Sequence, residues 1–308
     1  MNRSKIAHIS KIMMATLLRH LVSLLPDFVS ILLGRLGCSA IIKRSERISY
    51  RARLYRTQYH INVRSDFAVE RLATSLTIDG NDPYLAIKKL HLRGRTAIDI
   101  GANAGTISIG LVECGCKRVY SFEPGPLYSR LAENVKLNNL SDVICLNRLG
   151  LSDKREKLRW AEDKSNPGNA HLIEDEGQLD FNKISTKFNP SEFEEVQVVK
   201  LDEFIEQEKI NSVDFIKIDV EGMEHRVVLG GRNTIKRDLP IVVAETHRVA
   251  SDMMMYDCIT PIFDLFYGLG YESYSMEKDG CLTKFIYPNF SGDTFFVHPS
   301  RKEMVEVG

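Results

Sequence analysis

From Arg95 onward the chain alternates short β-rich runs with helical segments, which restricts it to an α/β architecture with a largely parallel sheet. The runs TAIDI (96–100), RVYSFEP (118–124), VICLN (143–147), SVDFIKIDV (212–220) and PIVVAETH (240–247) read as strands. Helices are expected through Leu111, over Pro126–Asn138, from about Met223, and near Asp257–Leu269. Right-handed crossovers would then cover both faces of a doubly wound sheet. Two further strands, near 271–276 and 293–298, have no clear helix between them. They are expected to form a hairpin that places one antiparallel strand in the sheet.

The flanks read differently. Residues 1–90 are expected to be a helical and linker extension, 91–300 the main domain, and 301–308 a polar tail that frays. Residues 153–195 break the alternation with charges, Asn166, Pro167, Gly168 and Gly177, and are expected to fold as an insertion or lid. In the first forty residues Pro26 and Asp27 interrupt the apolar stretch, so no window supplies the roughly 18 apolar residues of a spanning helix. Amphipathic helices packed on the domain are expected there; shallow attachment to a membrane surface is the alternative. The basic run 43–60, KRSERISYRARLYRTQYH, reads as a solvated linker or helix face, with contact to phosphate-bearing partners as the alternative.

With 41 basic and 41 acidic residues the formal charge is zero, which argues against a nucleic-acid partner. Six cysteines without a C-x-x-C pair argue against a disulfide framework or a zinc site, and fit reduced thiols in a cytoplasmic setting.

The most informative chemistry is Asp99-Ile-Gly101-Ala-Asn103-Ala-Gly105, where a strand passes into a helix. Such a turn offers free backbone N–H groups and the positive end of a helix at the carboxyl edge of the sheet, where open α/β folds bind ligands. Gly101 is expected to let the backbone approach a ligand closely. Glu123, at the tip of the next strand, can accept both hydroxyls of a ribose. That pair of features suits NAD and S-adenosylmethionine alike, and the glycine spacing separates them. A pyrophosphate wants G-x-G-x-x-G; here the pattern is G-x-x-x-G with an acidic residue two positions ahead, which would repel a pyrophosphate and attract an amino group. The spacing favours S-adenosylmethionine, with an NAD-linked oxidoreductase or epimerase, or a non-catalytic module that keeps the pocket, as the rivals.

Taken together, Asp99–Gly105, SFEP (121–124), LSD (151–153) and FIKIDVEGME (215–224) resemble the FkbM family of S-adenosylmethionine-dependent methyltransferases. NPGNAHL (166–172) resembles a recurrent family segment, and the likeness spans roughly residues 95 to 275. The resemblance implies a seven-stranded Rossmann-like methyltransferase sheet and methyl transfer to hydroxyl groups, often on sugars or polyketides. By position it implies that Asp99, Gly101, Asn103 and Gly105 form the cofactor loop, that Glu123 holds the ribose, and that Ser152 or Asp153 lies near the adenine.

For the acceptor side, strand alternation places Lys217, Asp219 and Glu221 on one face at the end of IKIDVEG, unless Glu221 already lies in the turn. Asp219 is the first candidate for a base or an acceptor-orienting carboxylate, with helix capping as the rival role. Glu221 is divided between substrate contact and loop hydrogen bonding. His171 and His247 have a pKa suited to proton removal, although packing or surface roles compete for each. Asp219, Glu221, Glu245 and His247 could surround a magnesium ion, but no compact ligand motif joins them and no metal is assigned. The expected acceptor is a saccharide or another small polar metabolite.

Overall fold

The computed structural model describes residues 49–54, 57–62, 83–162, 170–173, 194–246, 257–277, 279–289 and 292–305. The chain divides into two compact units, residues 1–79 and 80–308. In the first, the described part of the basic run expected to be a linker or helix face forms two paired strands instead, β1 (Ser49–Leu54) antiparallel to β2 (Thr57–Asn62). Its alternating sequence suits a pleated strand better than a helical stripe. The helices expected in the first forty residues lie outside the described residues.

The second unit is built on an eight-stranded sheet. Its strands are β3 (Thr96–Ile100), β4 (Arg118–Phe122), β5 (Ile144–Asn147), β10 (Phe215–Ile218), β11 (Ile241–Glu245), β12 (Glu272–Met276), β13 (Leu282–Phe285) and β14 (Asp293–Val297). The spatial order is β13-β12-β14-β11-β10-β3-β4-β5. From β5 to β11 the strands are parallel, and β14 runs antiparallel to both β11 and β12. The seven strands from β5 to β12 complete the expected doubly wound, Rossmann-like arrangement, and β13 adds an eighth at the edge. As expected, β12 and β14 pair antiparallel and β14 is the antiparallel strand of the sheet; what differs is the connection, since β12 first turns back into β13 and β14 then enters between β11 and β12.

The central strands are apolar because both faces are covered. Every residue of TAIDI and of FIKI is buried, as a parallel strand packed on two sides requires. Helices α1 (Tyr84–Ile87), α2 (Thr106–Glu113), α3 (Tyr128–Leu137), α4 (Leu201–Gln207), α5 (Glu224–Gly230), α6 (Arg232–Asp238) and α7 (Thr260–Gly268) supply the cover. Phe204 of α4 meets Phe122 edge to face at 4.7 Å, and Phe266 of α7 stacks on Phe296 of β14 at 4.1 Å.

The segment expected to be an insertion or lid contributes to a second sheet, ordered β6-β9-β7-β8. Its strands are β6 (Gly150–Ser152), β7 (Glu156–Glu162), β8 (Ala170–Ile173) and β9 (Glu194–Lys200). β6 and β9 are parallel, while β7 is antiparallel to β8 and β9. Leu158, Trp160, Val196 and Val198 from this sheet share one apolar cluster with Ile100 and Phe122. The tail does not fray as expected over its first turns. Pro299–Met304 is a 3₁₀ helix, with Arg301 paired to Asp214 at 3.1 Å and Met304 buried.

Among the described residues, no helix is long and apolar enough to cross a membrane.

Candidate active site

At the carboxyl end of β3 the chain turns sharply into α2. The N–H groups of Gly101 and Ala102 both donate to the Phe122 carbonyl (3.0 and 2.9 Å), which seats the turn against the end of β4. Gly101 has φ +76°, and a Cβ there would overlap the carbonyl oxygen of Asp219. The glycine therefore gives close approach to the end of β10, a use of its conformational freedom that the sequence did not announce. Asn103 also lies in the left-handed region, at φ 51°, and its side-chain oxygen accepts from Ala104 N–H at 2.7 Å. Gly105, with φ +91°, precedes α2 against the side chain of Leu131. The Asn134 amide of α3 fixes the Ala104 carbonyl at 2.8 Å.

Glu123 closes this turn. Its Oε2 accepts from Asn103 N–H at 3.0 Å and its Oε1 from Gly125 N–H at 2.8 Å, so the carboxylate joins the two loops. Burial pushes the Glu123 pKa up, and those two N–H bonds partly offset it. Each oxygen keeps a further lone pair for a ligand hydroxyl.

Asp99 lies near the end of β3 as the motif predicts, but is fully enclosed. One carboxylate oxygen takes the Ser108 hydroxyl at 2.5 Å. Ser108 in turn shares a hydrogen bond with Ser121. Among the described residues Asp99 Oδ1 has no hydrogen-bond partner. Burial raises the Asp99 pKa and the neighbouring Lys217 ammonium lowers it.

Lys217 is the Cα partner of Asp99 across β10 and β3. Burial alone would lower its pKa, but the carboxylates of Asp219 and Asp99 hold it above the usual lysine range. Lys217 Nζ lies 2.6 Å from Asp219 Oδ2, so these two residues share a face as alternation demands. Glu221 has left the strand. It sits in the following turn at φ 56°, a conformation that non-glycine residues adopt at a cost.

The turn is held by Glu224, whose role the sequence reading missed. Buried at the start of α5, it accepts from Val220 N–H at 2.9 Å and from Gly222 N–H at 3.0 Å. Glu245, at the end of β11, is also more prominent than expected. Carboxylate oxygens of Asp219, Glu221 and Glu245 lie within 4.8 Å of one another, a spacing that a divalent cation or a hydroxyl-bearing acceptor could bridge. Burial, then the negative charges of Asp219 and Glu221, push the Glu245 pKa strongly upward.

The remaining candidates divide. Ser152 is fully buried, and Asp153 is engaged by Arg226 of α5 at 2.6 Å, with Arg226 also pairing to Glu156. Both therefore lie where β6 meets α5. His171 falls on β8, and His247 lies outside the described residues.

The turn after β3, braced by Glu123, thus lies beside the carboxylate cluster at the ends of β10 and β11. The methyltransferase FkbM domain model matches residues 99–269, more than half of the chain and the whole of this layout. The chain belongs to the FkbM methyltransferase family. Among curated relatives, the hexuronic acid methyltransferase AglP of Haloferax volcanii is 26% identical over 153 residues, covering 48% of this chain and 54% of that protein. The ribosomal protein L11 methyltransferase of Anoxybacillus flavithermus is 33% identical over 73 residues, 23% of each chain. The chain thus spans about half or less of the length of these relatives. A solved FkbM methyltransferase from Methylobacillus flagellatus matches with TM-score 0.43 and 14% identity, over 88% of this chain and 60% of that one.

Proposed function

We propose that this FkbM methyltransferase uses S-adenosylmethionine to methylate an oxygen of a saccharide or similar polyhydroxy metabolite. The observation that carries this reading is the contact between its two halves. The Gly101 turn is seated directly on the backbone of Asp219, so a ligand on that turn lies beside the Asp219, Glu221 and Glu245 carboxylates.

The residues fit the cofactor on two counts. Glu123 retains one acceptor position on each oxygen for the ribose hydroxyls. The unpaired Asp99 Oδ1 is a buried acceptor that a water bridging to an amino group would satisfy. When bound, S-adenosylmethionine supplies a methyl group activated by its sulfonium.

The chain itself then needs to orient the acceptor oxygen and hold its proton. Asp219, fixed by Lys217, orients the acceptor hydroxyl as a hydrogen-bond acceptor. Glu221 and Glu245 contribute the neighbouring contacts, and burial beside Asp219 and Glu221 favours the protonated form of Glu245, which would let it donate to an acceptor oxygen. The hexuronic acid specificity in the name of the Haloferax protein supports a sugar-type acceptor.

Incubation with isotopically labelled S-adenosylmethionine and a panel of monosaccharides, glycosides and uronic acids tests the reading. A saccharide product carrying the label on oxygen is expected. Label appearing only on protein or on nitrogen would overturn the acceptor class.

A further inference from the structure

We infer that Trp160 is a positioning residue for cofactor binding: from the second sheet its indole braces the turn that holds the Glu123 carboxylate. This rests on the reading above, in which Glu123 takes the ribose hydroxyls. Trp160 lies on β7 and is only 6% exposed. A Cβ at Gly125 would stand 2.7 Å from its Cε2 and 2.8 Å from its Nε1 and Cζ2, so the indole edge lies directly against the glycine backbone.

Gly125 is also the residue whose N–H orients Glu123 Oε1, while Asn103 N–H orients Oε2. The run of contacts is therefore short: indole to Gly125, Gly125 to Glu123, Glu123 to the Gly101–Asn103 turn. Loss of the indole would free the Gly125 N–H to move away, and one of the two bonds that set the plane of the carboxylate would loosen. Trp160 is itself fixed, because β7 is paired on both sides and its neighbour Leu158 lies in the cluster that includes Phe122. Glycine is required at position 125 by this packing alone, since any side chain would collide with the ring.

The experiment uses the full chain and S-adenosylhomocysteine as probe. Trp160 is the only tryptophan of the protein, so its emission reports on the turn without a label. Binding to the wild type is expected to change that emission. Gly125→Ala and Trp160→Leu are each expected to weaken binding by about tenfold, the scale of one disturbed hydrogen bond. Trp160→Phe is expected to restore most of the affinity. In the double variant the two losses are expected to fall short of additive, because the leucine leaves room for the added methyl group. Should Trp160→Leu fail to fold, Gly125→Ala carries the test.

Variants that melt earlier yet bind S-adenosylhomocysteine as the wild type does, with no change in wild-type emission on binding, would overturn the inference and leave the cofactor reading standing. A wild type that does not bind the probe would remove both.

Discussion

Replacing Glu224 by glutamine is expected to change the pH dependence of stability. Glu224 is 3% exposed, and burial pushes its pKa from 4.5 up to about 7, against the pull of the Val220 and Gly222 N–H groups. The folded value thus lies above the unfolded one. Stability from this group is complete below the unfolded pKa and is lost as pH rises through the folded pKa. A displacement of that size corresponds to about 3 kcal/mol in total, of which about 2–3 kcal/mol is lost between about pH 5 and pH 8. Glutamine cannot ionise, so this loss is absent from Glu224→Gln. The variant starts weaker in acid by about 1–3 kcal/mol, because its NH₂ faces the Gly222 N–H. Urea denaturation of both proteins, followed by circular dichroism across that pH range, measures the difference. Groups that titrate in both proteins cancel. The stability advantage of the wild type is expected to shrink by about 2–3 kcal/mol toward alkaline pH. An advantage that stays constant would refute the reasoning.

Three further outcomes are expected. Glu123→Ala removes the ribose acceptor and leaves the Asn103 and Gly125 N–H groups without it, so S-adenosylhomocysteine affinity measured by calorimetry falls about 10- to 100-fold. Asp219→Asn keeps the shape but breaks the ion pair with Lys217; turnover falls by more than cofactor affinity, as parallel kinetics and calorimetry would show. Gly101→Ala drives a methyl group into the Asp219 carbonyl from a left-handed backbone, and lowers the thermal midpoint by an amount equivalent to at least about 1–3 kcal/mol.

The central sheet was legible because its strands are buried on both faces and therefore written as uninterrupted apolar runs, TAIDI and PIVVA above all. The second sheet was not. β7 (EKLRWAE) and β9 (EEVQVVK) carry charges at their exposed positions and resemble a polar insertion until their partners are known. β13 (LTKF) is too short and polar to announce itself, which is why β12 and β14 were expected to be consecutive partners. At the site, the positions of Asp99, Glu123 and Asp219 at strand ends followed from the motif. That Asp99 is fully enclosed did not, because enclosure depends on Ser108, Ser121 and Lys217 arriving from three different elements. Glu224 was overlooked because a carboxylate at the start of a helix looks like an ordinary first-turn acid, whereas it fixes the turn two to four residues earlier; Glu245 was considered only as a possible magnesium ligand, because its closeness to Asp219 and Glu221 depends on the pairing of neighbouring strands. The pairing of Asp153 with Arg226, a partner 73 residues away, could not be read from the sequence.

Calorimetric titration of the full chain with S-adenosylhomocysteine and, separately, with NAD tests most directly whether this turn and its carboxylate form a sulfonium-nucleoside site. One equivalent of S-adenosylhomocysteine is expected to bind, NAD is not, and Glu123→Ala is expected to weaken the first without creating the second. Binding of NAD in place of S-adenosylhomocysteine, or binding of the latter unaffected by Glu123→Ala, would contradict the account.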